Sequence, residues 1–239
     1  DWQKEKLSLK QLLGIFVMMY SVASVCNAIG IFVSSRTPST GMQNQDMLDK
    51  VISTKTFAGL FVPMIFGPIL EELMFRKLML DRIRNYGETT AIVFSAICFG
   101  LFHGNLPQFL FAAVVGFFLA YVYCKTGKIL ITIIMHVLVN TMSTGITLLL
   151  PVLSAGTDVA KIIVILVTAV IAVLFVSGWI VLILHLRRKD LKADNSMPTC
   201  IPKNEVFKTA YLNPGVMIYM IYYIASIVLR LLGITIGGA

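Results

Sequence analysis

The sequence predicts an all-α, polytopic transmembrane helix bundle of seven or eight spans with a polar intramembrane cavity, and three observations carry that prediction. First, 57% of the 239 residues are hydrophobic and only 13% are charged, where a soluble domain has roughly a quarter charged. Second, the mean hydropathy is +0.85, and apolar runs of about 18 residues or more recur, each able to cross the ~30 Å hydrocarbon core as a helix. Third, these runs are continuous rather than alternating, which excludes a β-barrel.

Seven segments follow from the pattern: Leu12–Val33, Phe57–Leu80, Thr89–His103, Gln108–Cys124, Ile129–Leu150, Ala160–Leu186 and Tyr211–Ile236. The chain reads as one membrane domain, with core helices over 57–144, a cytoplasmic loop over 187–208 and a last, peripheral helix over 209–239. Lys4, Lys6 and Lys10 precede the first segment. Lys77, Arg82 and Arg84 lie around the end of the second, Lys125 and Lys128 follow the fourth, and Arg187, Arg188, Lys189 and Lys192 follow the sixth. The alternate loops carry Arg36, Lys50 and Lys55, then no basic residue at Gly104–Pro107, then Lys161. By the positive-inside rule this places the N-terminus in the cytoplasm. The same rule accounts for the net charge of +8, so no nucleic-acid partner is expected. Cys26, Cys98, Cys124 and Cys200 form no CxxC pair and suggest neither disulfides nor a thiolate metal site. No cleavable signal peptide is evident, and because the chain does not begin with Met, further N-terminal sequence is expected.

The third segment is short. Fifteen residues span ~22 Å, less than a full crossing, and only Gly104-Asn105-Leu106-Pro107 join it to the fourth. Backbone that turns at membrane depth must be buried in protein or line a wet cavity. His103 stands at that turn.

Ionisable groups inside a bilayer are costly and point by default to function. Glu71 and Glu72 sit well inside the second segment. Arg76, four residues after Glu72, is about 40° round an ideal helix and can pair with it. Glu71 is about 140° from Arg76 on the same helix and has no local partner. Phe99 and His103 share a helical face, as do His136 and Asn140, whose side chains can converge on one small group. Each feature alone has a bland explanation, a salt bridge or an interhelical polar contact. Together they describe water-dependent cleavage of an acyl bond. A carboxylate in an apolar site can act as general base, an imidazole can hold the same water, and a second imidazole with a carboxamide can donate to an oxyanion. Ser95 and Cys98 precede His103 but lack a neighbouring base.

At these residues the chain resembles the CPBP intramembrane proteases, the CAAX proteases and bacteriocin-processing enzymes. Glu71-Glu72-Leu-Met-Phe-Arg76 fits their EExxxR motif, Phe99-Gly-Leu-Phe-His103 fits FxxxH, and His136-Val-Leu-Val-Asn140 fits HxxxN. The likeness covers about Phe57 to Thr144. It implies a glutamate-dependent, metal-independent endopeptidase without cofactor, in which Glu71 and His103 activate water and His136 and Asn140 stabilise the oxyanion. Glu72, Arg76 and Phe99 take supporting positions. The family's best-known eukaryotic members have eight spans. The resemblance also implies a bacterial plasma membrane and a membrane-associated peptide substrate that is lipidated, bacteriocin-like or signal-derived.

Three other readings remain open at this point. A zinc protease could use Glu71, His103 and His136 as ligands, although no HExxH is present. A non-catalytic immunity or regulatory protein could bind a peptide or partner through the same residues. A transporter could use the buried Glu and His as a proton relay, although the chain lacks repeat symmetry.

Overall fold

The computed structural model describes residues 6–38, 61–154, 157–188 and 202–234. Every regular element among them is helical. Helix α1 (Leu9–Ser34) opens with a capping box, in which the Ser8 side chain accepts from the Gln11 backbone N–H. Helix α2 runs over residues 62–83, α3 is Glu88–Phe102, α4 is Leu106–Thr126, α5 is Ile129–Ser154 and α6 is Asp158–Arg188. Helices α7 (Lys203–Tyr211) and α8 (Pro214–Leu231) end the described chain.

Four helices, α1, α4, α6 and α8, are long and apolar enough to cross a membrane, while α3 and the stretch Ile129–Gly145 of α5 are shorter apolar helices. The architecture is therefore the expected all-helical membrane bundle, and the count that length and composition support among the described residues is four. Helix α4 packs between α1 and α3, α6 lies on α1, and α2 is held by α3 and α5.

Close packing in a bilayer depends on small residues, since lipid supplies no hydrophobic drive between helices. A Cβ at Gly100 would sit 2.8 Å from the Ala113 Cβ, and one at Gly116 would sit 2.9 Å from the Phe99 ring. These two glycines let α3 and α4 touch, which fixes Phe99 and the turn beyond it. That turn is shorter than expected: α4 begins at Leu106, Asn105 caps it by accepting from the Gln108 N–H, and Pro107 lies in its first turn.

Two further expectations need correction. The segment expected over Tyr211–Ile236 is broken at Leu212–Asn213. Pro214 disfavours helical backbone at Asn213, and the Asn213 side chain accepts from the Val216 N–H to start a new helix. The loop expected over 187–208 is partly helical, because α6 continues to Arg188 and α7 starts at Lys203. Residues 189–201 and most of the first loop lie outside the described residues.

Candidate active site

Helix α2 is not an ideal α-helix. Val62–Phe66 and Leu73–Leu80 are π-helical, with an α-helical stretch, Gly67–Glu72, between them. Pro68 explains the first widened turn. It lacks an N–H, and its ring cannot sit against the carbonyl four residues back. The Gly67 N–H accordingly reaches the Val62 carbonyl, one residue beyond the α-helical acceptor. The Pro63 carbonyl then has no donor on its own helix, since the residue five ahead is Pro68. Asn140 supplies one: its Nδ2 donates to the Pro63 oxygen at 3.1 Å. π-Turns of this kind cluster at functional sites, and here the distorted helix carries both carboxylates.

Glu72 and Arg76 are completely buried and pair as expected. Arg76 Nε lies 3.1 Å from Oε2 and Nη2 lies 3.2 Å from Oε1, a fork-to-fork geometry. Arg76 Nη1 also donates to Ser95 Oγ at 2.6 Å, and its guanidinium stands 5.2 Å from the centre of the Phe99 ring. From α5, His136 Nδ1 lies 3.1 Å from Glu72 Oε1. The carboxylate can only accept, so this nitrogen carries the proton and donates. Thr132, one turn earlier on α5 and fully buried, lies near Glu72 and donates its hydroxyl to the Ile129 carbonyl at 2.9 Å.

The other imidazole nitrogen faces the neighbouring carboxylate. His136 Nε2 is 3.6 Å from Glu71 Oε2, and Glu71 keeps 22% of its side chain exposed. Sequence spacing left Glu71 with no partner on its own helix, and the bundle provides one from α5. Two adjacent residues thus have opposite surroundings. Glu72 is enclosed and fully bonded, whereas Glu71 touches one imidazole and opens outward.

His103 stands at the end of α3, half-buried. Its Nδ1 lies 3.0 Å from the Phe99 carbonyl, so Nδ1–H donates there and Nε2 is left as an acceptor. The shared face expected of Phe99 and His103 is present, with the rings edge to face at 5.2 Å. The same Phe99 ring also meets His136 edge to face at 5.5 Å. No hydrogen bond or ion pair joins Glu71 to His103 among the described residues, although Glu71 and His136 both lie within electrostatic reach of His103.

All seven residues singled out in the sequence therefore fall in one region, where α2, α3 and α5 meet. Ser95 was weighed only as a nucleophile, and Thr132 was missed. The signal was the spacing: Ser95, Phe99 and His103 form one four-residue stripe on α3, and Thr132, His136 and Asn140 form another on α5. Among the described residues no group of three or more His, Cys, Asp or Glu is placed to hold a metal ion. One cavity among the described residues, about 650 Å³, is an apolar groove between α2, α3 and α8 that none of Glu71, His103, His136 or Asn140 lines. It is not the polar cavity expected among the second to fifth segments.

A membrane-spanning helical bundle with carboxylate, imidazole and carboxamide groups gathered on three of its helices defines a class, the polytopic proteins with a polar intramembrane centre. Within that class, residues 53–142 match the family described as Type II CAAX prenyl endopeptidase Rce1-like. The match contains all three motifs, at the residues where the sequence resembles the CPBP proteases. The chain is also 29% identical over 145 residues to the protein named "Putative membrane peptidase YdiL" of Bacillus subtilis (strain 168), covering 58% of this chain and 57% of that relative. The chain thus spans little more than half the length of that relative. No solved structure matches it.

Proposed function

We propose that this protein is an intramembrane endopeptidase that hydrolyses peptide bonds with water activated by Glu71 and His103. The observation that carries the reading is the contrast between the paired carboxylates: Glu72 is consumed by Arg76 and His136, while Glu71 faces one imidazole nitrogen and keeps an open side. A group built only for stability has no use for that opening.

The proton inventory supports a direct hydrolysis. Glu71 accepts a proton from water, and the acceptor Nε2 of His103 holds and orients the same molecule. As the hydroxide adds to the scissile carbonyl, charge collects on its oxygen. With Nδ1–H committed to Glu72, His136 turns Nε2 toward that oxyanion, and donation there uses the second ring proton of the imidazole. Asn140 uses one amide hydrogen on Pro63 and has a second for the same purpose. Glu71 then returns its proton to the leaving amine. Glu72 and Arg76 orient His136, and Ser95 orients Arg76.

The substrate we assign is a membrane-associated peptide or protein, lipidated, bacteriocin-like or signal-derived, cleaved near the bilayer of a bacterial plasma membrane. The family of residues 53–142 supports the peptidase class. Comparative peptidomics of membranes carrying the wild type or Glu71→Gln tests it. Specific peptides disappear from the variant's profile if the reading is right, and indistinguishable profiles overturn it.

A further inference from the structure

The apolar groove lies outside the catalytic proposal and has a chemistry of its own. Its walls are Met74 and Leu78 of α2, Phe94 and Phe102 of α3, and Val216 and Tyr223 of α8. Helices α3 and α8 run side by side: Tyr219 donates to the Cys98 carbonyl at 2.7 Å, and Phe102 meets Tyr223 at 6.1 Å. Ile227 is the one buried residue of α8, and the groove separates this helix from α2. The long axis of the groove therefore follows the helices, across the thickness of the membrane.

The two ends differ. The deep end is apolar, at Met74, Phe102 and Tyr223. The other end carries Arg82, close to where α2 turns into α3 among Lys77, Asp81, Arg84 and Glu88. Such a concentration of charge marks the membrane interface. Nearby cations are already engaged: Lys77 pairs with Asp81 at 3.0 Å, and Arg84 is buried on the Cys124 carbonyl. Arg82 is exposed, and among the described residues it bonds only the Leu78 carbonyl of its own helix. No carboxylate among the described residues pairs with it.

We propose that this groove is an interhelical site for an anionic glycerophospholipid, its acyl chain lying between α2 and α8 and its phosphate on Arg82. An apolar space of about 650 Å³ stays dry, and where it opens into a bilayer hydrocarbon chains fill it. The guanidinium then decides which lipid. Its planar fork matches a phosphate, and an uncompensated cation at the interface favours a headgroup with net negative charge over a zwitterion. The chain's deep end would abut Phe102, whose ring is 6.1 Å from that of His103.

The test uses the full chain in phosphatidylcholine vesicles containing chain-labelled phosphatidylglycerol or chain-labelled phosphatidylcholine, with the motionally restricted lipid measured by electron spin resonance. The wild type is expected to favour phosphatidylglycerol at the restricted site about five-fold. Arg82→Gln should abolish that preference, Arg82→Lys should keep most of it, and Arg188→Gln should leave it unchanged. Val216→Trp, which fills the mouth, should reduce restriction of both lipids. Equal restriction of the two lipids by the wild type overturns the proposal, as does a preference that survives Arg82→Gln. So does native mass spectrometry showing a peptide in place of lipid on the purified protein. None of these readings depends on proteolysis, so the lipid site and the protease reading stand or fall separately.

Discussion

Two parts of this molecule use the bilayer in opposite ways. Helix α6 is the most hydrophobic candidate span, yet only 6% of its most apolar window is buried in the protein. The junction of α2, α3 and α5 contains the costliest groups in the chain, and it encloses Glu72, Arg76, Ser95 and His136 almost completely. In water the order would be reversed. In lipid a leucine gains little by turning inward, whereas a charge gains a partner, so polar groups set the register of the core helices. Small residues then set how closely helices approach, as Gly178 does where it lies against Ser21 and lets α6 dock on α1.

If that contrast is sound, substitutions should sort by region. Glu71→Gln has the largest expected effect on function, a loss of cleavage of about 10²–10⁴-fold, the range of a general base. Its helicity and melting should be retained, measured by circular dichroism beside the peptidomic assay. Arg76→Leu has the largest expected effect on stability. It leaves the Glu72 carboxylate buried without its cation, at a cost of about 3–5 kcal/mol, read as a lower midpoint in detergent unfolding. Asn140→Ala should lower turnover by about 10²–10³-fold through the lost oxyanion donor. It also orphans the Pro63 carbonyl, at about 1–3 kcal/mol, and a variant that loses stability with turnover intact would reassign Asn140 to the helix break alone. At the other extreme, Val173→Ala on the lipid face of α6 should change stability by no more than about 0.5 kcal/mol. A large effect there would mean that α6 meets a protein surface.

The same contrast explains what the sequence made readable. Charges inside apolar runs are conspicuous, so Glu71, Glu72 and Arg76 could be found and the Glu72–Arg76 pair deduced from four-residue spacing. Phe99 and His103 followed for the same reason. The partner of Glu71 could not be deduced, because His136 arrives from another helix and no periodicity links them. The ideal-helix angle found the Glu72–Arg76 pair but gave no sign that the turns of α2 are widened on both sides of the carboxylates. Pro68 signalled the break, but the consequence for the Pro63 carbonyl required knowing that Asn140 lies opposite. Ser95 and Thr132 are ordinary residues in apolar helices, and only their four-residue phase with the histidines sets them apart. The break before α8 was legible in Asn213-Pro214 and was overridden by the continuity of hydrophobic residues around it.

Phe99 has an effect beyond its own helix. Its ring meets both imidazoles in edge-to-face geometry, at 5.2 and 5.5 Å, and lies 5.2 Å from the Arg76 guanidinium. One apolar ring thereby ties the residue at the end of α3 to the buried pair on α2 and to the histidine of α5, so three helices share a single contact surface. Shrinking it to alanine would leave a void against both histidines and Arg76 at once, loosening the orientation of all three together.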